Sequence, residues 1–361
     1  MATSQQNFMS PILMLGLLIL LSLNSTDAKV GVCYGRLGAN LPCPTEVVAL
    51  YKKHNIKKMR LYDPHPPTLL ALGGADIDLM VGIPESDLPH LAESQGHADA
   101  WVAANISAYP AVKFRSIAVG NEVNPSSSAY SRFVLPAMQN IRRAVCGAGL
   151  GNRIAVSTSI KPDLLQKSSP PKEGEFYSNV TWYVKPIIEF LRDENAPLLV
   201  NVYPYFAYLN DMENISRGFA LLQRGCGVVL GGVYYDNLFY AMLDAIYAAM
   251  ERMLGNGPSV MSGVGGPGLT VSETGHSSRG GGRPVSDGDG DGDFSSVENA
   301  RIYNNNLMRV VKKGTPMRPG IPIEAYIFGM FDEDMKPGPE YERHFGIFLS
   351  NGTRKYGLRF Y

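Results

Sequence analysis

The chain has 361 residues, a length that fits two domains of average size or one large α/β barrel. Its 33 Lys and Arg residues balance its 33 Asp and Glu residues, so no overall field would attract nucleic acid or an anionic lipid surface. A neutral, polar substrate fits this balance best, and the 19 tyrosines suit stacking against sugars as well as ordinary core packing.

The first 28 residues have the pattern of a secretory signal peptide. An apolar run at 12–23 precedes a short polar segment and Ala28, after which we expect cleavage. The run is too short to favour a membrane span, and no second apolar segment of spanning length follows it. With no hydrophobic tail for a lipid anchor, we predict export to the cell-wall space, with sorting to the vacuole left open.

Glycosylation triplets and cysteines both fit an exported chain. Candidate Asn-x-Ser/Thr acceptors are Asn105, Asn179, Asn214 and Asn351. The cysteines have neither CxxC nor ligand-like spacing, so mostly buried thiols with at most one bridge are expected. They are Cys33, Cys43, Cys146 and Cys226.

Strand-like and helix-like segments alternate along the mature chain. An apolar strand at 30–35 comes first, followed by a helix at 45–55 for which Thr45 is the expected N-cap. The other predicted strands lie at 58–64, 77–84, 114–119, 153–159, 198–206, 269–275 and 323–333. The other predicted helices lie at 69–72, 97–110, 127–148, 181–193, 236–254 and 297–311.

This alternation predicts βα units and a parallel sheet. Eight strands within residues 29–361 favour one closed (β/α)8 TIM-barrel domain over an open doubly wound sheet. Neither G-x-G-x-x-G after the first strand nor G-x-x-x-x-G-K-[ST] is present, so a nucleotide cofactor has no support.

Two carboxylates stand at the carboxyl ends of predicted strands. The fourth strand ends in Asn121-Glu122 and the seventh in Ser272-Glu273. Either acid alone is also compatible with a solvated loop. In a barrel, however, all such ends converge on one face. Two carboxylates on that face of an exported chain indicate glycoside hydrolysis. This reaction needs one carboxyl group to protonate the leaving oxygen and another to attack or stabilise the anomeric carbon.

Several motifs occur in the order found in one known family: VGVCYG, LYDP, AVGNEV, LLVNVYPYF, VSETG, KKGTPMRPG, IEAYIFGMFDE and FGIF. On these motifs the mature chain resembles plant endo-β-1,3-glucanases of glycoside hydrolase family 17. The resemblance implies a retaining (β/α)8 enzyme that needs no cofactor and acts on β-1,3-glucan. It also implies Glu122 as the acid/base and Glu273 as the nucleophile, with carboxyl groups about 5–5.5 Å apart. We expect the chain to be a monomer.

The resemblance assigns further residues to substrate binding. It implies that Asn121 contacts the sugar 2-hydroxyl and that Tyr203 donates to Glu273. Aromatic cleft positions match Tyr34, Tyr205, Phe206 and Phe331, although such residues often only pack under loops. A charged cluster on the last strand and loop matches Glu324, Glu333 and Lys336. For Glu333 and Lys336, a solvated position on a loop is the alternative.

The sequence departs from the family pattern beyond Glu273. His276 stands where the family has Trp, and we expect the loss of the indole to remove an apolar face near the reacting sugar. Tyr240 stands where the family commonly has Asp, and we interpret this change as structural. A Gly/Asp-rich loop is inserted at about 279–294. In it Asp287, Asp289, Asp291 and Glu298 fit the spacing of a calcium loop. No helix precedes them as an EF-hand requires, so calcium is a minor hypothesis and no metal is expected.

Two alternatives remain at this point. The same barrel and acids would serve a mixed-linkage β-1,3-1,4-glucanase. From another class, the chain could be a glucan-binding protein that kept the cleft and lost turnover, an idea motivated by His276 and the altered loop.

Overall fold

Eight parallel strands close into one barrel in the computed structural model, which describes residues 30–255, 267–281 and 293–360. Each strand pairs with its neighbours in chain order, and the first closes the ring on the last through the register Val30↔Ala325. The strands are β1 Val30–Cys33, β2 Lys58–Leu61, β3 Asp78–Ile83, β4 Lys113–Asn121, β5 Ala155–Ile160, β6 Leu198–Asn201, β7 Leu269–Thr274 and β8 Glu324–Ile327. The predicted (β/α)8 barrel is therefore confirmed.

Most side chains of the barrel strands are buried because both faces of the sheet are covered. β1, β6 and β7 are buried along their full lengths, as expected for parallel strands with side chains inside the barrel and helices outside. The barrel interior and the helix-facing layer form one hydrophobic core.

Helices surround the barrel and connect successive strands. They are α1 Pro44–Lys53, α2 Pro66–Leu72, α3 Leu88–Glu93, α4 Gln95–Val102, α5 Ser131–Gly147, α6 Thr181–Asp193, α7 Pro204–Asn210, α8 Arg217–Ala220, α9 Leu238–Met253 and α10 Val297–Val310. A π-helical turn, Ala103–Ser107, extends α4. Helix α9 is capped by Asn237, whose Oδ1 accepts from the backbone N–H of Tyr240 at 3.0 Å. Tyr240 donates to the carbonyl of Val310 at 2.6 Å, so it joins α9 to the end of α10.

Several predicted boundaries differ from the structure. Helix α1 begins at Pro44 with Cys43 as its N-cap, so Thr45 lies inside the first turn. The helix predicted from residue 127 begins only at Ser131, and it accommodates Pro136 internally. Strand β6 ends at Asn201, and the aromatic segment that follows turns into α7. Strand β8 ends at Ile327, six residues before the predicted end.

The cysteines also differ from expectation. All four are free thiols, and only Cys33 is fully buried, whereas Cys43 and Cys146 are exposed. The expectation of mostly buried thiols is therefore wrong, because Cys43 and Cys146 lie at the exposed ends of helices α1 and α5.

The signal peptide lies outside the described residues, as do Asp287, Asp289 and Asp291 of the hypothetical calcium loop. The fourth member of that set, Glu298, is exposed and paired with Arg301 one turn along α10. None of the helices in the described ranges has both the length and the apolar composition of a membrane-spanning segment.

Candidate active site

A cleft of about 1260 Å³ lies over the carboxyl ends of the barrel strands. Both acids singled out in the sequence, Glu122 and Glu273, line this cleft together with Asn121, Asn201 and Tyr203. The convergence expected for a barrel is therefore present: β4, β6 and β7 bring their last residues to one place.

The end of β4 turns sharply in order to present Glu122. Gly120 has φ 73° and Glu122 has φ 55°, both in the left-handed region that a residue with a side chain seldom adopts. A Cβ on Gly120 would lie 2.8 Å from Val123, so glycine is required there. The backbone N–H of Glu122 donates to the carbonyl of Ser159 on β5 at 2.9 Å, which holds this uncommon conformation in place.

Glu273 is enclosed by hydrogen-bond donors. Its Oε1 accepts from Arg60 Nη1 at 2.9 Å and from the Tyr62 hydroxyl at 2.8 Å. Its Oε2 accepts from the Tyr203 hydroxyl at 2.8 Å, which is the contact that the resemblance implied. Because only 7% of the residue is exposed, these three donors take the place of the water molecules that would hydrate an exposed carboxylate.

Arg60, which the sequence analysis missed, is the buried cation of the site. It extends from β2 and is 1% exposed. Besides Glu273, its guanidinium donates to the Ser272 carbonyl at 2.8 Å and to Asn121 Oδ1 at 2.7 Å. An Arg between the apolar residues Met59 and Leu61 of a predicted buried strand was a detectable signal, because a buried Arg requires a charged or strongly accepting partner.

Asn201, also missed, connects the two carboxylates. It is 1% exposed at the end of β6. Its Nδ2 donates to Glu122 Oε1 at 2.8 Å and to Asn121 Oδ1 at 3.1 Å. Its Oδ1 accepts from Ser272 Oγ at 2.7 Å and from Arg60 Nη1 at 3.2 Å. The side-chain amide of Asn201 thus forms hydrogen bonds through both its nitrogen and its oxygen, and it fixes the position of Glu122 relative to the strand that carries Glu273.

The electrostatic surroundings of Glu122 favour its protonated form. Partial burial raises the pKa of Glu122, and the nearby negative charge of Glu273 raises that pKa further. The bond from Asn201 and the charge of Lys161, whose Nζ lies 3.8 Å from Glu122 Oε2, act in the opposite direction. Glu122 is thus suited to donate a proton.

Five other predicted site residues line the cleft: Asn121, Tyr34, Phe206, Glu333 and Lys336. The Asn121 oxygen is occupied by Arg60 and Asn201, which leaves its amide N–H groups for a ligand. Glu333 is buried and accepts from the backbone N–H of Leu37 at 2.9 Å. Burial raises the pKa of Glu333. Lys336 pairs with Glu342 at 2.9 Å and lies 4.5 Å over the Phe328 ring.

Three other predictions of cleft residues are wrong. Tyr205 is fully buried, and its hydroxyl lies 2.7 Å from Ser295 Oγ behind the cleft wall. Phe331 is 2% exposed and packs against Tyr34 and Phe348. Glu324 is the first residue of β8 and therefore lies at the opposite, amino end of the barrel, where its carboxylate is 3.1 Å from Lys58 Nζ.

His276 does not face the cleft, contrary to expectation. It is fully buried in an aromatic cluster, with ring centroids 4.8 Å from Tyr205 and 4.6 Å from Phe294. Its Nδ1 lies 2.8 Å from the Ser277 carbonyl, whereas its Nε2 has no partner among the described residues. Burial lowers the pKa of His276 to about 3. The imidazole at this position therefore contributes to packing behind the cleft wall.

Comparisons with known proteins show which family and which structures the chain resembles. The family model described as "Glycosyl hydrolases family 17" matches residues 30–360. Glucan endo-1,3-beta-glucosidase B of Solanum lycopersicum is 45% identical over 365 residues, covering 100% of this chain and 94% of that protein. A basic vacuolar isoform of glucan endo-1,3-beta-glucosidase from Nicotiana tabacum is 45% identical, covering 98% of this chain and 91% of that protein. The structure of CJP38, a beta-1,3-glucanase and allergen of Cryptomeria japonica pollen, aligns with a TM-score of 0.83 at 39% identity, covering 92% of this chain and 98% of that one.

Proposed function

The chain belongs to the glycosyl hydrolases of family 17, and from this premise we propose that it cleaves internal β-1,3-glucosidic bonds of glucans by a retaining mechanism. The observation that carries the proposal is the pair of carboxylates in one cleft with opposite surroundings. Glu273 accepts three hydrogen bonds, whereas burial and the charge of Glu273 raise the pKa of Glu122. Curated relatives with this activity cover nearly the whole chain.

In the first step the Glu273 carboxylate attacks the anomeric carbon, and protonated Glu122 transfers its proton to the departing glucan oxygen. The carbon–oxygen bond to the leaving chain breaks as the bond to Glu273 forms. Arg60, Tyr62 and Tyr203 hold the Glu273 oxygens before and during attack, so little reorganisation is needed.

In the second step Glu122, now ionised, removes a proton from a water molecule that attacks the same carbon. Glu273 leaves as a carboxylate, and the sugar regains its original configuration after two inversions. The amide N–H groups of Asn121 are suited to donate to the sugar 2-hydroxyl. Because the substrate is neutral, the chain's balanced charge presents no barrier to its approach.

Laminarin should be cleaved to short oligosaccharides whose newly formed reducing ends are initially β-anomers, as seen by ¹H NMR during the first minutes of reaction. A mixed-linkage barley-type glucan should be cleaved much more slowly. Initial release of α-anomers would contradict retention, and faster cleavage of the mixed-linkage glucan would contradict the linkage preference. Binding of laminarin without new reducing ends would instead indicate a glucan-binding protein; with His276 outside the cleft, one motive for that alternative is gone.

Replacing Lys161 by Met should shift the alkaline limb of the kcat/KM profile to higher pH. The charge of Lys161 lowers the pKa of Glu122, so its removal lets the acid stay protonated to higher pH. Lys167→Met is the matched control, because Lys167 pairs with Glu173 on the surface and does not line the cleft. An unchanged alkaline limb in Lys161→Met would contradict the assignment of Glu122 as the acid that controls it.

The chain is further proposed to enter the secretory pathway, with the wall space or the vacuole as its destination. Its apolar leader supports export, and the vacuolar name of the tobacco relative supports the second destination. Three of the four candidate glycosylation sites are exposed, namely Asn179, Asn214 and Asn351. A fluorescent fusion followed in plant cells, with and without residues 1–28, would distinguish the wall from the vacuole.

A further inference from the structure

Two histidines and a glutamate form a cluster on the outside of the barrel. His90 and Glu93 lie on α3, and His97 lies on α4, the next helix along the chain. Each offers one potential ligand atom, and these atoms lie within 4.8 Å of one another. We refer to these three residues as the histidine cluster. None of its members lines the cleft, so the cluster is independent of the proposed hydrolytic function.

Two potential ligand atoms of the histidine cluster already lie at nearly the separation that one shared ion requires. His97 Nδ1 lies 3.6 Å from Glu93 Oε2, whereas two ligand atoms on a tetrahedral zinc ion with bonds of about 2.0–2.1 Å are roughly 3.4 Å apart. The two imidazoles are stacked, with centroids 3.6 Å apart and planes inclined by 20°. His97 Nδ1 also lies 3.0 Å from the His90 carbonyl oxygen, so binding at Nδ1 would exchange that hydrogen bond for a coordinate bond.

The backbone that carries the histidine cluster is held in place by hydrogen bonds to the side chains of Asn140 and Ser94. Asn140 of α5, 7% exposed, donates to the carbonyls of Leu91 at 2.8 Å and Ala92 at 3.3 Å, between the two α3 ligands. Ser94 caps α4 by accepting from the backbone N–H of His97 at 3.3 Å. Both helices are therefore positioned before a ligand arrives, which lowers the cost of ordering a site.

We propose that the histidine cluster binds one divalent transition-metal ion of the zinc class, with water completing the coordination. Two imidazoles and one carboxylate are a ligand set typical of zinc. Calcium and magnesium require oxygen ligands and would gain little from imidazole. The bound ion connects α3 to α4 and should stabilise this side of the barrel by binding the folded state alone.

The test uses the full mature protein, freed of metal with EDTA and titrated with Zn²⁺ by calorimetry and by thermal unfolding. We expect a saturable site for one ion per chain and a rise of several degrees in Tm, with no rise in Ca²⁺. His97→Gln and His90→Gln should each lower zinc affinity at least tenfold and remove the rise. His65→Gln is the matched control, because His65 contacts Thr68 away from the cluster, and it should bind zinc like the wild type.

Two results would overturn the proposal. One is the absence of saturable zinc binding by the wild type. The other is zinc binding that persists unchanged in both His90→Gln and His97→Gln, which would place the ion elsewhere on the chain. Laminarin hydrolysis should be unchanged in both variants, so failure of the metal site would leave the proposed function untouched.

Discussion

Glu273→Gln should lower kcat on laminarin by at least about 10⁴-fold while the protein stays folded. An amide cannot form the glycosyl-enzyme, so the main route through the transition state is lost. Gln also leaves the buried guanidinium of Arg60 without its counter-charge, and breaking such a pair costs up to about 3–5 kcal/mol of stability. We therefore expect a lower Tm in circular dichroism together with an otherwise native spectrum.

Glu324→Gln is the control for this substitution. It also removes a glutamate from an ion pair, with Lys58 at 3.1 Å, but at the opposite end of the barrel. Its activity should equal that of the wild type. If folded Glu273→Gln keeps more than about one hundredth of the wild-type rate, Glu273 is not the nucleophile.

Azide should distinguish the roles of the two acids. In Glu273→Ala, azide can occupy the space left by the carboxylate. It then attacks the anomeric carbon from the side on which Glu273 stood, displaces a good leaving group from the opposite side and gives an α-glycosyl azide. In Glu122→Ala the glycosyl-enzyme still forms, and azide then attacks it from the opposite face to give the β-azide. The reverse pattern of products would exchange the assignments of Glu122 and Glu273.

Replacing His276 by Phe should make the fold markedly more resistant to acid. Burial lowers the pKa of His276 to about 3, whereas in the unfolded chain it is about 6.5. Below about pH 6.5 the imidazole therefore binds a proton in the unfolded state but not in the folded state. The free energy of unfolding consequently decreases as the pH falls from about 6.5 towards 3. Between pH 7 and pH 4.5 this one residue should cost about 2–3 kcal/mol.

Urea unfolding at these two pH values measures the effect. Other titrating groups act equally in both proteins, so the difference in pH dependence between wild type and His276→Phe isolates the imidazole. Tyr303→Phe is the matched control, because Tyr303 packs in the same cluster and does not titrate in this range. It should lower stability similarly at both pH values. An unchanged pH dependence in His276→Phe would show that the imidazole accepts a proton in the folded state.

Sequence periodicity determined the barrel and the location of its two acids. Apolar runs alternate with amphipathic segments because strands buried on both faces must be covered by helices. The polarity of parallel strands then brings Glu122 and Glu273 to one face. The same rule, applied to Glu324 at the start of β8, would have excluded it from that face.

Only the tertiary structure decided which side chains meet. Arg60 and Asn201 connect residues far apart in the chain, so no local pattern indicates that they link the two acids. Tyr203 and Phe206 reach the cleft, whereas Tyr205 and His276 pack behind it. An aromatic side chain suits both environments, and the choice between them depends on the backbone turn that follows each strand.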